Sequence, residues 1–170
     1  MGEEKGIELG EGMREEWDMK SGKRSGKKRP EVDREVFEEV EGIYAELEGR
    51  LAVLERDCRV VTRCCRFQLT GEVPVLTLGE ALVAARGVRA SGRRELKPHA
   101  EGACPLLGRE GRCSIYRDRP FGCRTHFCRA AGGVVPRKLV GDLIQRLEAL
   151  DEKLGGDGSR GLPEAIAAVL

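Results

Sequence analysis

The chain has 170 residues, 40% hydrophobic but only 4% aromatic. That length suits one domain with tails, and its core must come from Leu, Val, Ile and Ala. Charged residues make up 35% yet leave a formal net charge of +1, so the balance gives no global argument for nucleic acid or membrane as partner. The least polar stretches, "VPVLTLG" (73–79) and "AIAAVL" (165–170), fall short of the roughly 18 apolar residues of a membrane span. The start, "MGEEKGIELG", is acidic and lacks the apolar region of a secretory signal. The expected location is therefore cytoplasmic, where thiols stay reduced.

Residues 1–30 carry Gly, Glu, Lys and Arg with almost no apolar pattern and read as a disordered charged tail. Within them "SGKRSGKKRP" (21–30) is a basic run; its rival reading is a nucleic-acid contact. From Glu31 the pattern changes. Val36, Val40, Ile43, Leu47, Leu51 and Leu54 recur at spacings of three and four, which predicts an amphipathic helix over about 33–56. Pro30 suits its approach and Asp33 its cap. Thr77 and Glu80 in "TLGE" form a capping-box pattern, and Leu78, Ala81, Leu82 and Ala85 continue it as a helix over about 78–89. "ASGRRELKPHAEG" (90–102) reads as a loop, and "RCSIYR" (112–117) as a short strand. Pro136 opens a further helical pattern through Leu139, Val140, Leu143, Ile144, Leu147, Leu150 and Leu154, stopped by Gly155–Gly156. A linker, "GDGSRG" (156–161), and a last short helix in "PEAIAAVL" (163–170) complete the chain. The expected fold is mainly α: a helical cysteine-cluster domain over 31–155, with long flanking helices and irregular cysteine-bearing loops, then a linker and short helix over 156–170.

All seven cysteines, Cys58, Cys64, Cys65, Cys104, Cys113, Cys123 and Cys128, lie within 58–128, spaced C-x5-C-C-x38-C-x8-C-x9-C-x4-C. An odd number of thiols in a reducing compartment argues against a disulfide framework and for metal or catalysis. Thiolates are soft donors that favour zinc, copper(I) and iron–sulfur clusters, and four satisfy a tetrahedral zinc or a [4Fe–4S] cluster. Seven exceed one such shell; with His126 added, eight donors would serve two ions. Ordinary zinc modules use C-x2-4-C knuckles, and only "CRTHFC" (123–128) reaches that range. Side chains of adjacent residues tend to diverge, so Cys64–Cys65 favours a cluster or a two-metal site.

Arg59, Arg63 and Arg66 surround the first cysteines, and Arg112, Arg117, Arg119, Arg124 and Arg129 the second. They read as counter-charges to a thiolate site; a basic nucleic-acid face is the rival. Aromatic interleaving is poor, with only Phe67, Tyr116, Phe121 and Phe127 nearby, which weakens that rival. Tyr116 reads as a core ring with a hydrogen-bonded hydroxyl. Arg119–Pro120 reads as a turn in which Arg119 pairs an acidic group. His126 reads equally as a ligand or as a structural residue.

"CPLLGREGRCSIYRDRPFGCRTHFC" (104–128) resembles the core of the zinc- or iron-chelating cysteine-cluster family, the YkgJ-like proteins. The shared pattern is Cys-Pro, a Gly-containing turn, Cys-Ser-Ile-Tyr, Arg-Pro and Cys-Arg. Upstream, "CCRF" looks like the end of that family's CxxCxxCC signature, and the Thr-capped helix stands where the family has one. The resemblance covers roughly 58–130 and implies zinc or iron, the iron as an ion or as a [4Fe–4S] cluster, held by Cys64, Cys65, Cys104, Cys113 and Cys123, with Cys58 and Cys128 as further ligands. The second cysteine of the signature is Val61 here, so Cys128 or His126 completes the shell or the site has fewer ligands. Some relatives carry this module in a lysine N-methylase, but this chain has no Gly-rich nucleotide loop after a strand. Three functions follow: a metal-binding protein serving structure, electron transfer or metal handling; a redox or transferase enzyme using the cluster or a reactive thiol; and a nucleic-acid-binding protein.

Overall fold

The structure is a computed structural model that describes residues 29–54, 56 and 62–170. Cys58, Val61, Arg59 and most of the basic run 21–30 lie outside the described residues. The chain is mainly helical, as the periodicities predict. Its main elements are α1 (Arg29–Leu51), α2 (Phe67–Thr70), β1 (Val75–Leu76), α3 (Leu78–Ala90), α4 (Phe121–Thr125), α5 (Gly141–Leu154), β2 (Arg160–Gly161) and α6 (Leu162–Val169). Short 3-10 turns at Arg63–Cys65, Tyr116–Asp118, Arg129–Ala131 and Arg137–Leu139 connect them. No helix among the described residues is long and apolar enough to cross a membrane.

The apolar stripe of α1 buries Val36, Val40, Ile43, Tyr44 and Leu47 against Leu143, Leu147 and Leu150 of α5, with Val83 and Phe121 closing the cluster. α1 begins at Arg29, so Asp33 lies inside its first turns rather than capping it, and it ends at Leu51 rather than near 56. Leu54 still packs on this core, but from a turn in which its amide donates to Leu51 O (3.0 Å). Beyond Pro136 the chain first makes the 3-10 turn and turns α-helical only at Gly141. Gly155 ends α5 at φ 74°, the left-handed conformation glycine adopts without a Cβ penalty.

A second cluster joins the other face of α3 (Ala81, Ala84, Ala85, Val88) to Leu76, Leu106, Ile115 and, from α6, Leu162, Ala165 and Ile166. α3 thus lies between two cores, and its small residues let both approach it closely. A Cβ on Gly79 would stand 3.2 Å from both Leu150 Cδ2 and Val40 Cγ2, and one on Gly87 would stand 2.8 Å from Asp118 Oδ2. The expected strand at 112–117 is replaced by one isolated bridge, Leu107 to Cys113, and a 3-10 turn. Pairing stops there because the chain turns at Tyr116–Asp118. The two-stranded sheet is instead antiparallel β1–β2, in register Val75 to Gly161 and Leu76 to Arg160.

Buried Asp151, on α5, locks the second core to the first. Its Oδ1 accepts the Leu78 amide at the start of α3 (2.6 Å), and its Oδ2 accepts the Gly158 amide (3.0 Å). Removing this carboxylate leaves two N–H donors without partners. Asp151→Ala should lower the free energy of unfolding by about 2–4 kcal/mol, read by urea titration; loss of under half that range would show that water replaces both bonds.

Candidate metal centre

Three chain segments bring thiols onto the α3–α6 core. The first is the 3-10 turn Arg63–Cys65, entered through Thr62 at φ 59°. Thr62 is the only non-glycine at positive φ among the described residues, a conformation that costs about 1 kcal/mol or more for a β-branched side chain. The second is the loop Cys104–Cys113, closed by Gly108 N to Arg112 O (2.8 Å) and Ser114 N to Leu106 O (2.8 Å). The third is α4, which carries Cys123. The Cys104 amide donates to Cys65 O (2.7 Å), so the first two segments are joined beside their thiols. Cys104 is itself buried in the second core, and Cys65, Cys113 and Cys123 pack partly buried against it.

Cys64 and Cys65 do not diverge: the turn sets their sulfurs 4.0 Å apart. Two sulfurs bound at 2.3 Å to one tetrahedral zinc stand about 3.8 Å apart, so the pair suits a shared ion. Among the described residues, no group of three or more Cys, His, Asp or Glu side chains is placed to hold a metal ion.

The thiols nonetheless feel one another. The Cys64 thiol is held down at about 6, chiefly by the hydrogen bond from Cys65, with His126 adding to it against burial. Cys65 is pushed up by that same bond and by burial, and further by Cys64, Cys104 and Cys113. Burial pushes Cys104 up to about 11, with Cys113 and Cys64 contributing. Burial likewise raises Cys113 and pushes Cys123 up to about 12, where Cys104, Cys113 and Cys64 all add. Cys64, Cys65, Cys104, Cys113 and Cys123 therefore share one electrostatic site. Cys128 ends up elsewhere in local structure, at the entry to the 3-10 turn Arg129–Ala131, its carbonyl accepting the Ala131 and Gly133 amides (2.8 and 3.1 Å). His126 lies near enough to Cys64 to lower it, with its Nδ1 3.9 Å from Glu72 Oε2.

The donor set fits a thiophilic metal. Burial makes isolated thiolates costly here, and a cation offsets that cost while displacing the protons. The arginines fit selectively. Arg119 opposes the burial effect at both Cys113 and Cys123, and Arg93, which the spacing alone does not single out, does so at Cys113. The Nε atoms of Arg93 and Arg119 are buried donors with no acceptor among the described residues. Other arginines do structural work: Arg66 pairs with Glu101 (2.8 Å), and buried Arg124 pairs with Glu48 (2.5 Å) and donates to the carbonyls of Arg117 and Arg119. Arg119 has no acidic partner among the described residues; its guanidinium lies 3.9 Å from the centre of the Tyr116 ring. Tyr116 is 57% exposed, so it is that platform and not a core ring.

A lowered thiol is ionised, and hence nucleophilic, above its pKa. Metal-free protein should therefore alkylate at Cys64 with a midpoint near pH 6. Cys65→Ala, which removes the donor, should raise that midpoint by about one unit or more; an unchanged midpoint, mapped by mass spectrometry across pH, would exclude the Cys65 bond as its cause.

Among known proteins, the CxxCxxCC family model, described as "Putative zinc- or iron-chelating domain", matches residues 56–139. No curated protein and no solved structure matches the chain. The matched span holds all three thiol-bearing segments together with α3, and over residues 56–139 the chain is similar to the CxxCxxCC family.

Proposed function

We propose that this chain is a cytoplasmic metal-binding protein whose thiol cluster holds zinc or an iron–sulfur cluster, in a structural, electron-transfer or metal-handling role. Cys64, Cys65, Cys104, Cys113 and Cys123 form the inner donor set. His126 is available beside Cys64. Cys58 and Cys128 are the outer candidates. The observation that carries the reading is the packing of four thiols from three segments, Cys65, Cys104, Cys113 and Cys123, on one apolar core, with the Cys64 sulfur 4.0 Å from that of Cys65. The two partnerless guanidinium N–H groups beside it support the same reading, since metal-bound thiolates are the acceptors such donors need. The six described cysteines are free thiols, which suits a reducing compartment. The helical frame of 31–155 holds the metal core 58–130, and the bound ion would add to the stability of a modest apolar core.

A second reading, a redox or transferase enzyme using a reactive thiol, draws on the low Cys64 value. Zinc loading separates the two, because a ligand thiolate is protected from alkylation and a free nucleophile is not.

Protein purified anaerobically should carry zinc or iron by elemental analysis, and Cys104→Ser with Cys123→Ser should reduce it to about a tenth or less. A colourless protein with stoichiometric zinc marks a zinc site; brown protein with broad charge-transfer bands marks iron–sulfur. Folded protein without either metal would end the proposal. Arg119→Gln should weaken metal binding by about tenfold in competition titration; unchanged affinity would remove Arg119 from the site.

A further inference from the structure

Glu80 stands between the helical frame and the thiols. It is only 4% exposed. Its Oε1 accepts the Tyr44 hydroxyl of α1 (3.1 Å) and the Phe121 amide (2.8 Å), and its Oε2 accepts the Thr77 amide and hydroxyl (3.1 and 3.2 Å). Phe121 is the first residue of α4, and Cys123 is the third. The Tyr44 hydroxyl itself lies within electrostatic reach of Cys123. The thiols of Cys104, Cys113 and Cys123 all lie against the second core, on the face of α3 that carries Ala81, Ala84, Ala85 and Val88.

We infer that Glu80 is a positioning residue of the thiol site: by holding the first amide of α4 against α3, it sets where Cys123 stands relative to Cys104 and Cys113. The inference rests on the metal-binding reading only for its consequence at the metal. The geometry it concerns exists in the metal-free chain. Three features favour this role over capping alone. A capping box needs only the Thr77 bonds, which occupy one carboxylate oxygen. The other oxygen is spent wholly on α1 and α4. And an exposed cap would be satisfied by water, whereas burial leaves Phe121 N–H with no substitute acceptor.

Glu80→Ala removes all four bonds. Glu80→Gln keeps the shape but turns an amide NH2 onto donors, and it carries the test if the alanine variant does not fold. Leu147→Ala, in the α1–α5 core, is the control for general loosening. In metal-free folded protein, the alkylation rate of Cys123 relative to Cys104 should rise about tenfold in the Glu80 variants and stay level in the control. On cobalt(II) loading, the same variants should lose about tenfold in affinity and weaken the thiolate-to-cobalt charge-transfer band. A folded Glu80 variant with the parent's alkylation ratio overturns the inference, as does a control that shifts the ratio equally. A parent chain that takes up neither cobalt nor zinc ends the metal-binding reading instead, and the alkylation ratio still decides the position of Cys123.

Discussion

A single carboxylate with four donors lies where α1, α3 and the start of α4 meet, and the rest of the architecture hangs on satisfying it. Burial alone pushes Glu80 above the usual carboxylate range, and the hydrogen bonds from Phe121, Thr77 and Tyr44 oppose that shift. An unsatisfied carboxyl at this depth would be prohibitive, so the three segments are obliged to converge. Tyr44 extends the network: the Arg124 guanidinium lies 4.2 Å from its ring centre and reaches Glu48 on α1 and the carbonyls that precede α4. The segment around Cys123 is therefore held by Glu80 of α3 at the Phe121 amide and by Glu48 of α1 through Arg124.

α3 converts that convergence into a site. Its small residues let the α1–α5 core and the α6 floor approach the same helix from opposite sides. The thiols then rest on an apolar surface, where the neutral form is favoured at four of the five. Cys64 differs because it is half-buried, bonded by its neighbour and close to His126. A metal entering such a site would exchange buried S–H groups for metal–sulfur bonds, so proton release and metal uptake are coupled.

The helices were legible because their causes are local. A stripe at spacings of three and four, a Thr-x-x-Glu box and a terminal Gly each act within a few residues, and α1, α3 and α5 appear where those signals lie. The strand expected at 112–117 misleads for the opposite reason: a β-ladder needs a partner over several residues, and here the pairing is the single bridge from Leu107 to Cys113 before the chain turns at Tyr116. Of the arginines read as counter-charges, Arg119 acts on Cys113 and Cys123, whereas Arg66 and Arg124 find carboxylates that are distant in sequence. Arg93 enters the site from the end of α3 through bonds to Pro105 O and Ser114 Oγ, a placement no spacing rule contains.

What the amino-acid sequence determined by itself was the chemistry: thiols in number, crowded into one stretch, between helices whose periodicity is plain. Local propensity and donor softness are properties of residues and of short windows, so they survive without coordinates. The tertiary structure decided which thiols meet, that adjacent Cys64 and Cys65 point the same way, and that a capping glutamate also anchors α4. The anchoring of α4 depends on burial and on contacts across 36 to 41 residues of chain, from Tyr44 to Glu80 and from Glu80 to Phe121, and such contacts arise only when two cores close on one helix.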